Sequence, residues 1–233
     1  MRLIVLLPLV AACAAKAAPT EPMRSPAQSN SYNDLVTLFE EWRAFETPPL
    51  RDGVPDYTEA RMTRAYAELP SYRARLEAID SSGWPVPQQI DWHLLRAEMN
   101  GFDFNHRVLR PWARDPAFYK SVWTSQSDTP AHEGPMHHAP IELWQYEFPL
   151  SDAAAAKLTK ELQTVPPLLE QARLNLTGNA EELWIAGFRD IEGQVRDLGN
   201  LEAEVPESVK PALIAARDAT SAMHAWMQTQ TVK

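Results

Sequence analysis

One cysteine in 233 residues excludes an internal disulfide. With only eight glycines there is no Gly-rich phosphate-binding loop, and no Gly-x-Ser-x-Gly nucleophile elbow is present. Basic charge is also short: 22 Lys and Arg face 31 Asp and Glu, a net charge of -9. Such a balance argues against nucleic acid as a partner, because backbone binding needs a basic surface to neutralise phosphates. After residue 15 no run approaches the roughly 20 apolar residues of a membrane-spanning helix.

What is present is an ordinary apolar share of 45% with twenty prolines. That supplies enough apolar mass for a core, broken by many stiff joints. Met1-Arg2 followed by the apolar run Leu3 to Ala12 reads as an export signal. The single cysteine closes that run as Val10-Ala11-Ala12-Cys13, the pattern of a bacterial lipoprotein signal cleaved at and acylated on the cysteine. Cleavage within Ala14-Ala15-Lys16-Ala17-Ala18 is the alternative. The lipoprotein reading is the more economical, since it gives an otherwise idle thiol a use. The expected organisation is therefore a signal over 1–12, a flexible tether over 13–30 and a helical domain over 31–233. It places the chain outside the cytoplasm with a lipid anchor in a membrane, on the periplasmic face of the outer membrane if the source has two membranes.

From Ser31 the periodicity is helical. Leu35, Leu38, Phe39, Trp42 and Phe45 line one face, and Glu46-Thr47-Pro48-Pro49 ends that helix. Asp56 or Thr58 caps the next, which Pro70 interrupts and Ser71 restarts. Pro87 to about His106 forms a long helix with Ile90, Leu94, Leu95 and Met99 facing one way. Ser151-Asp152 starts another, Val165-Pro166-Pro167 marks a joint, and Ala180 to Glu204 is a long helix. Pro206 opens the last one. The fold class is all-α, built of antiparallel helix pairs, with a long Pro- and aromatic-rich irregular insertion over about 110–149.

Unusual residues gather in and just before that insertion. Eleven of the 21 aromatics and five of the six histidines lie between Trp84 and Phe148. Long loops of this kind line clefts more often than short ones do, although the aromatics can equally serve to pack the loop onto the helices. The candidate ligand-binding residues are Trp123, Gln126, Asp128, His132, Glu133 and His137. No zinc-peptidase helix can form here: His132 and His137 are five apart with Gly134 and Pro135 between them, whereas that motif needs two histidines four apart on one helix face. Asp103 and His106 are three apart, without a third ligand. Arg107, Arg110 and Arg114 could hold an anion or pair with Asp103 and Asp115. No catalytic residue, metal ligand or cofactor is assigned to this chain.

Several stretches together resemble the N-terminal part of the bacterial proteins grouped as domain of unknown function 885. They include Glu41-Trp-Arg-Ala-Phe45, Gly53-Val-Pro-Asp-Tyr57, Gln89-Ile-Asp-Trp-His-Leu-Leu-Arg-Ala-Glu-Met-Asn-Gly101 and Phe104-Asn-His-Arg-Val-Leu-Arg-Pro-Trp112. Ser125-Gln-Ser-Asp128, Pro130-Ala-His-Glu-Gly-Pro135 and Asn175-Leu-Thr-Gly-Asn179 follow in order. The resemblance implies a mostly helical, metallopeptidase-like parent whose His-Glu zinc motif lies in a C-terminal half that this sequence lacks. It further implies that the present chain forms one wall of a peptide-substrate cleft and is inactive alone. Zinc belongs only to the longer parent. The alternative from the residues is a stand-alone helical lipoprotein that binds a peptide or small ligand. If half of a larger fold is missing, exposed apolar faces are expected, with Trp184, Phe188, Ile191, Met223, Trp226 and Met227 as the candidates.

Overall fold

The computed structural model describes residues 29–126, 137–177 and 180–230. Its helices are α1 (Tyr32–Glu46), α2 (Glu59–Glu77), α3 (Val86–Phe104), the short α4 (Pro111–Arg114), α5 (Asp152–Leu162), α6 (Val165–Asn175), α7 (Glu181–Leu201) and α8 (Lys210–Gln228). Strand structure among the described residues is confined to an isolated bridge between Ser29 and Ile79 and two two-residue pairings: β1 (Leu50–Arg51) with β2 (Val54–Pro55), antiparallel, and β3 (Val122–Trp123) with β4 (Ile141–Glu142), parallel. The fold is all-α. No helix among the described residues is long and apolar enough to cross a membrane.

Two hydrophobic cores organise the chain. The first is shared by α1, α2 and α3 and centres on Leu38, Trp42, Leu69, Leu76, Leu95 and Met99. Trp42 is fully buried and meets Phe45, Tyr72 and Phe102 at ring-centroid distances of 5.3–5.4 Å, spacings typical of favourable aromatic packing. The second, larger core joins α5 to α8 with the insertion and takes in Phe118, Tyr119, Leu158, Leu168, Ile191, Leu213 and Met223. His106 spans the two. Its ring stacks 3.9 Å from Phe102 on one side and lies 4.9 Å from Trp112 on the other.

Helix pairing follows the expected antiparallel pattern. Tyr66 meets Asp103 and Arg73 meets Asn100, so α2 runs against α3. Along α7 and α8, Trp184 meets Trp226 and Gln194 meets Thr220, again in opposite senses. Thr58 and Ser151 each accept a backbone N–H as caps, from Arg61 and Ala154. Asp52 and Gly53 both take positive φ, 53° and 83°, which makes the β1–β2 connection a tight Asp-Gly hairpin turn.

Four expectations are corrected. Pro70 does not divide α2; it sits inside a continuous helix on the solvent side, where the carbonyl left without a donor can turn to water. Pro206 lies in the turn before α8, whose own first-turn proline is Pro211. On α3, Leu95 and Met99 are buried but Ile90 and Leu94 point outward. Leu94 and Leu95 are successive residues, about 100° apart on a helix, so the two pairs form adjacent stripes rather than one. The apolar faces of α7 and α8 are not left open: Trp184, Ile191, Met223 and Met227 are buried, while Phe188 and Trp226 are partly buried against the same core.

Candidate functional site

The insertion is held onto the helices by polar side chains rising from otherwise apolar faces. Gln194 stands between Ile191 and Leu198 on the buried stripe of α7. Its Oε1 accepts the backbone N–H of Ser121 at 2.7 Å and of Val122 at 2.9 Å, and its Nε2 donates to Thr220 Oγ1 at 3.2 Å. From α6, Gln171 accepts the Tyr57 N–H at 2.6 Å and donates to the Pro55 carbonyl at 2.9 Å. Asn175 Nδ2 lies 3.0 Å from the Tyr57 carbonyl and 2.9 Å from the Tyr119 hydroxyl, which itself donates to the Trp112 carbonyl at 2.6 Å. Burial pushes the Tyr57 and Tyr119 hydroxyls well above the ordinary phenol range, so both remain protonated. These contacts fasten three separate segments, 55–57, 112–122 and 171–175, to one another.

His137 completes the frame. Its Nδ1 accepts the Ala139 N–H at 3.0 Å, which makes Nε2 the protonated nitrogen, and Nε2 donates to the Lys120 carbonyl at 3.1 Å. Burial pushes its pKa down to about 4. A neutral imidazole with both nitrogens engaged is a brace and has nothing left to offer a ligand. Next to it the Tyr57 hydroxyl accepts the His138 backbone N–H at 2.8 Å.

Trp123 sits half-buried in β3, with the Lys120 ammonium 4.4 Å above its ring. Lys120 also pairs with Asp190 of α7 at 3.4 Å. Gln126 is exposed at the edge of the described segment. Asp128, His132 and Glu133 lie outside the described residues, as does Cys13. Of the candidate ligand-binding set, then, Trp123 and His137 share one neighbourhood through Lys120.

Elsewhere, Asp115 caps the 116–119 turn through the Ala117 N–H, and burial raises its pKa to about 6. Glu46 is raised to about 7, first by burial and then by the nearby Glu98, with Arg43 between the two carboxylates. Neither carboxyl converges with a nucleophile or a cavity, so neither defines a reaction. Asp103 accepts from Tyr66 and Arg107, and His106 Nδ1 donates to the Phe102 carbonyl; the pair does not converge on a common point. Among the described residues no group of three His, Cys, Asp or Glu side chains could hold a metal. The hollows among the described residues include two open grooves. One of about 200 Å³ runs between α2 and α3 beside Arg73, Trp92 and Arg96; another of about 470 Å³ lies along α5 beside Thr159, Lys160 and Ser208.

Sequence reasoning missed Gln171, Asn175 and Gln194. The available signal was a polar residue in register with an apolar helical stripe, which a buried helix tolerates only when the side chain finds partners.

No protein-family model matches the chain, and no curated protein matches it. Its fold is similar to a solved structure described as a "putative lipoprotein of unknown function" from Shewanella oneidensis, with a TM-score of 0.56 and 15% identity. The match covers 86% of this chain, which spans 37% of the length of that protein.

Proposed function

We propose that the chain is a non-catalytic helical module of an exported, lipid-anchored protein, corresponding to the N-terminal part of a larger metallopeptidase-like architecture and forming one wall of its substrate cleft. One observation supports the modular, lipoprotein part of the reading: 86% of this chain superposes on 37% of a longer protein described as a "putative lipoprotein of unknown function". The Val10-Ala-Ala-Cys13 context supports the anchor. The resemblance to domain of unknown function 885 supports the metallopeptidase-like parent. In the described part, the polar side chains that a catalytic loop would aim at a substrate are spent on fastening the insertion instead. That suits a wall better than an active centre.

The anchor is tested by expressing the full chain and its Cys13→Ser variant in a bacterial host, followed by fractionation and intact-mass measurement. The parent chain is expected in the membrane fraction with an acylated mature mass, and the variant in neither state. Equal membrane association and equal mass for both would remove the anchor from the proposal. Turnover of peptide substrates by the purified chain, dependent on added zinc, would remove the non-catalytic assignment.

A further inference from the structure

The outer face of α3 is an uncovered apolar stripe. Val86, Ile90 and Leu94 are 67%, 51% and 57% exposed, and Ala97, Gly101 and Phe104 continue the same helical line without a charge. At about 1.5 Å per residue the stripe is about 28 Å long. On α1, Val36 and Phe39 are exposed between the two clasps that join α1 to α3, Tyr32 to Asp91 and Arg43 to Glu98. Exposed apolar surface of this extent marks a contact face.

Two features identify what it contacts. The chain enters the fold at the N-terminal end of this stripe. Ser29 is bonded to the Ala78–Asp80 turn through the Ala78 carbonyl and the Asp80 N–H, and Trp84, two residues before α3, donates its indole N–H to the Asn30 carbonyl at 2.8 Å. Only residues 14–28 separate this entry from Cys13, so chain geometry keeps Ser29 within about 55 Å of an acyl group on that cysteine. At the other end of the stripe, Val108 and Leu109 are exposed and three arginines collect: Arg107, Arg110 and Arg114. Arg114 donates to the Val108 and Leu109 carbonyls and so pins that apolar turn, Arg107 pairs with Asp103 at 3.1 Å, and Arg110 forms no ion pair among the described residues. In a chain of net charge -9, an apolar stripe ending in arginines is complementary to acyl chains bordered by phosphate.

We infer that α3 is a membrane-docking helix: its Val86–Ile90–Leu94 ridge rests in the headgroup region of the leaflet that holds the anchor, with Arg110 on a lipid phosphate. The inference rests on the anchored reading above. Tethering makes a weak surface contact effective, because the lipid is always at high local concentration.

Because Cys13 is the sole cysteine and is consumed by acylation, Ile90→Cys, Leu94→Cys and the control Leu174→Cys each supply one labelling site; Leu174, on α6, is 88% exposed. The acylated full chains are labelled with an environment-sensitive fluorophore and reconstituted in phosphatidylethanolamine–phosphatidylglycerol vesicles. Vesicle flotation reports the anchor. Quenching by nitroxide-labelled acyl chains reports the face, and iodide reports access from water. Expected are co-flotation and a loss of about half or more of the emission at 90 and 94 on lipid quenching, with little change at 174. Co-flotation with equal quenching at all three sites overturns the docking inference and leaves the anchor standing. Shielding of 90 and 94 from iodide without lipid quenching means that a second copy covers the stripe, and overturns it too. Absence of flotation removes the anchored reading itself and this inference with it.

Discussion

The side-chain carbonyl of Gln194 holds two successive backbone N–H groups, those of Ser121 and Val122, at 2.7 and 2.9 Å. A single α7 residue thereby satisfies the inner edge of the insertion where β3 begins, and its amide reaches across to Thr220 on α8. All of this is buried. Replacing Gln194 by Leu keeps the volume but strands two donors, each costing about 1–3 kcal/mol when left unpaired in a core. Gln194→Leu is therefore expected to lower unfolding free energy by about 2–5 kcal/mol, read from urea denaturation. A loss below 1 kcal/mol would show that water reaches the site.

The same helix approaches the insertion closely at Gly187. A Cβ there would stand 2.7 Å from the Ala117 backbone nitrogen and 2.8 Å from Pro116 Cβ, with no flexible side chain to give way. Gly187→Ala is expected to destabilise by about 1–3 kcal/mol even though alanine is the better helix former. Gly199→Ala, on the same helix with open space around it, is the matched control and is expected to be neutral or stabilising. Only the Gly187→Ala melt should fall below that of the parent.

Helix limits were legible wherever a local chemical signal marks them. Thr58 and Ser151 cap as their side chains allow, and Glu46-Thr47-Pro48 stops α1. The hidden features depend on neighbours remote in sequence. Ile90 and Leu94 carry the same apolar signal as Leu95 and Met99, and only the placement of α1 and α2 decides which stripe is covered. Trp184 and Met223 likewise look exposed until α7 and α8 are seen to face each other. The Asp52-Gly53 turn went unread although its dipeptide is a hairpin signal, because its flanking strands are too short for any alternation. At the candidate site, aromatic and histidine enrichment singled out the insertion, and Trp123 and His137 lie within it. What Trp123 and His137 do there is set by Lys120, Ala139 and α7, which composition does not reveal.

Pro70 offers a test of the corrected α2. It lies in the interior of an uninterrupted helix with an exposed ring. Pro70→Ala restores the hydrogen bond to the Tyr66 carbonyl and removes the ring clash in the preceding turn. Proline is about 3 kcal/mol poorer than alanine in a helix interior, so the substitution is expected to raise stability by some part of that amount. Destabilisation would mean that the proline itself is needed to seat Leu69 and Leu76 in the first core.

His137 links the insertion to acid stability. In the unfolded chain an imidazole takes up its proton near pH 6.5, whereas in the fold burial holds His137 neutral down to about pH 4. Between those values the unfolded chain carries the extra proton, so the contribution is complete above about pH 6.5 and is lost as pH falls toward 4. Asp115 and Glu46 act in the opposite sense. Their folded values of about 6 and about 7 lie above the ordinary 3.8 and 4.5, so their contributions are present at low pH and lost as pH rises. The three together flatten the parent curve over this range. His137→Gln retains a side chain able to hydrogen-bond but not to titrate there. The stability gap between parent and variant is expected to be widest at pH 7 and to close on acidification by up to about 3 kcal/mol, measured as urea midpoints between pH 7 and pH 4.5. A gap that stays constant with pH would show that the imidazole titrates in the fold as it does in water, and that Nε2 is not committed to the Lys120 carbonyl.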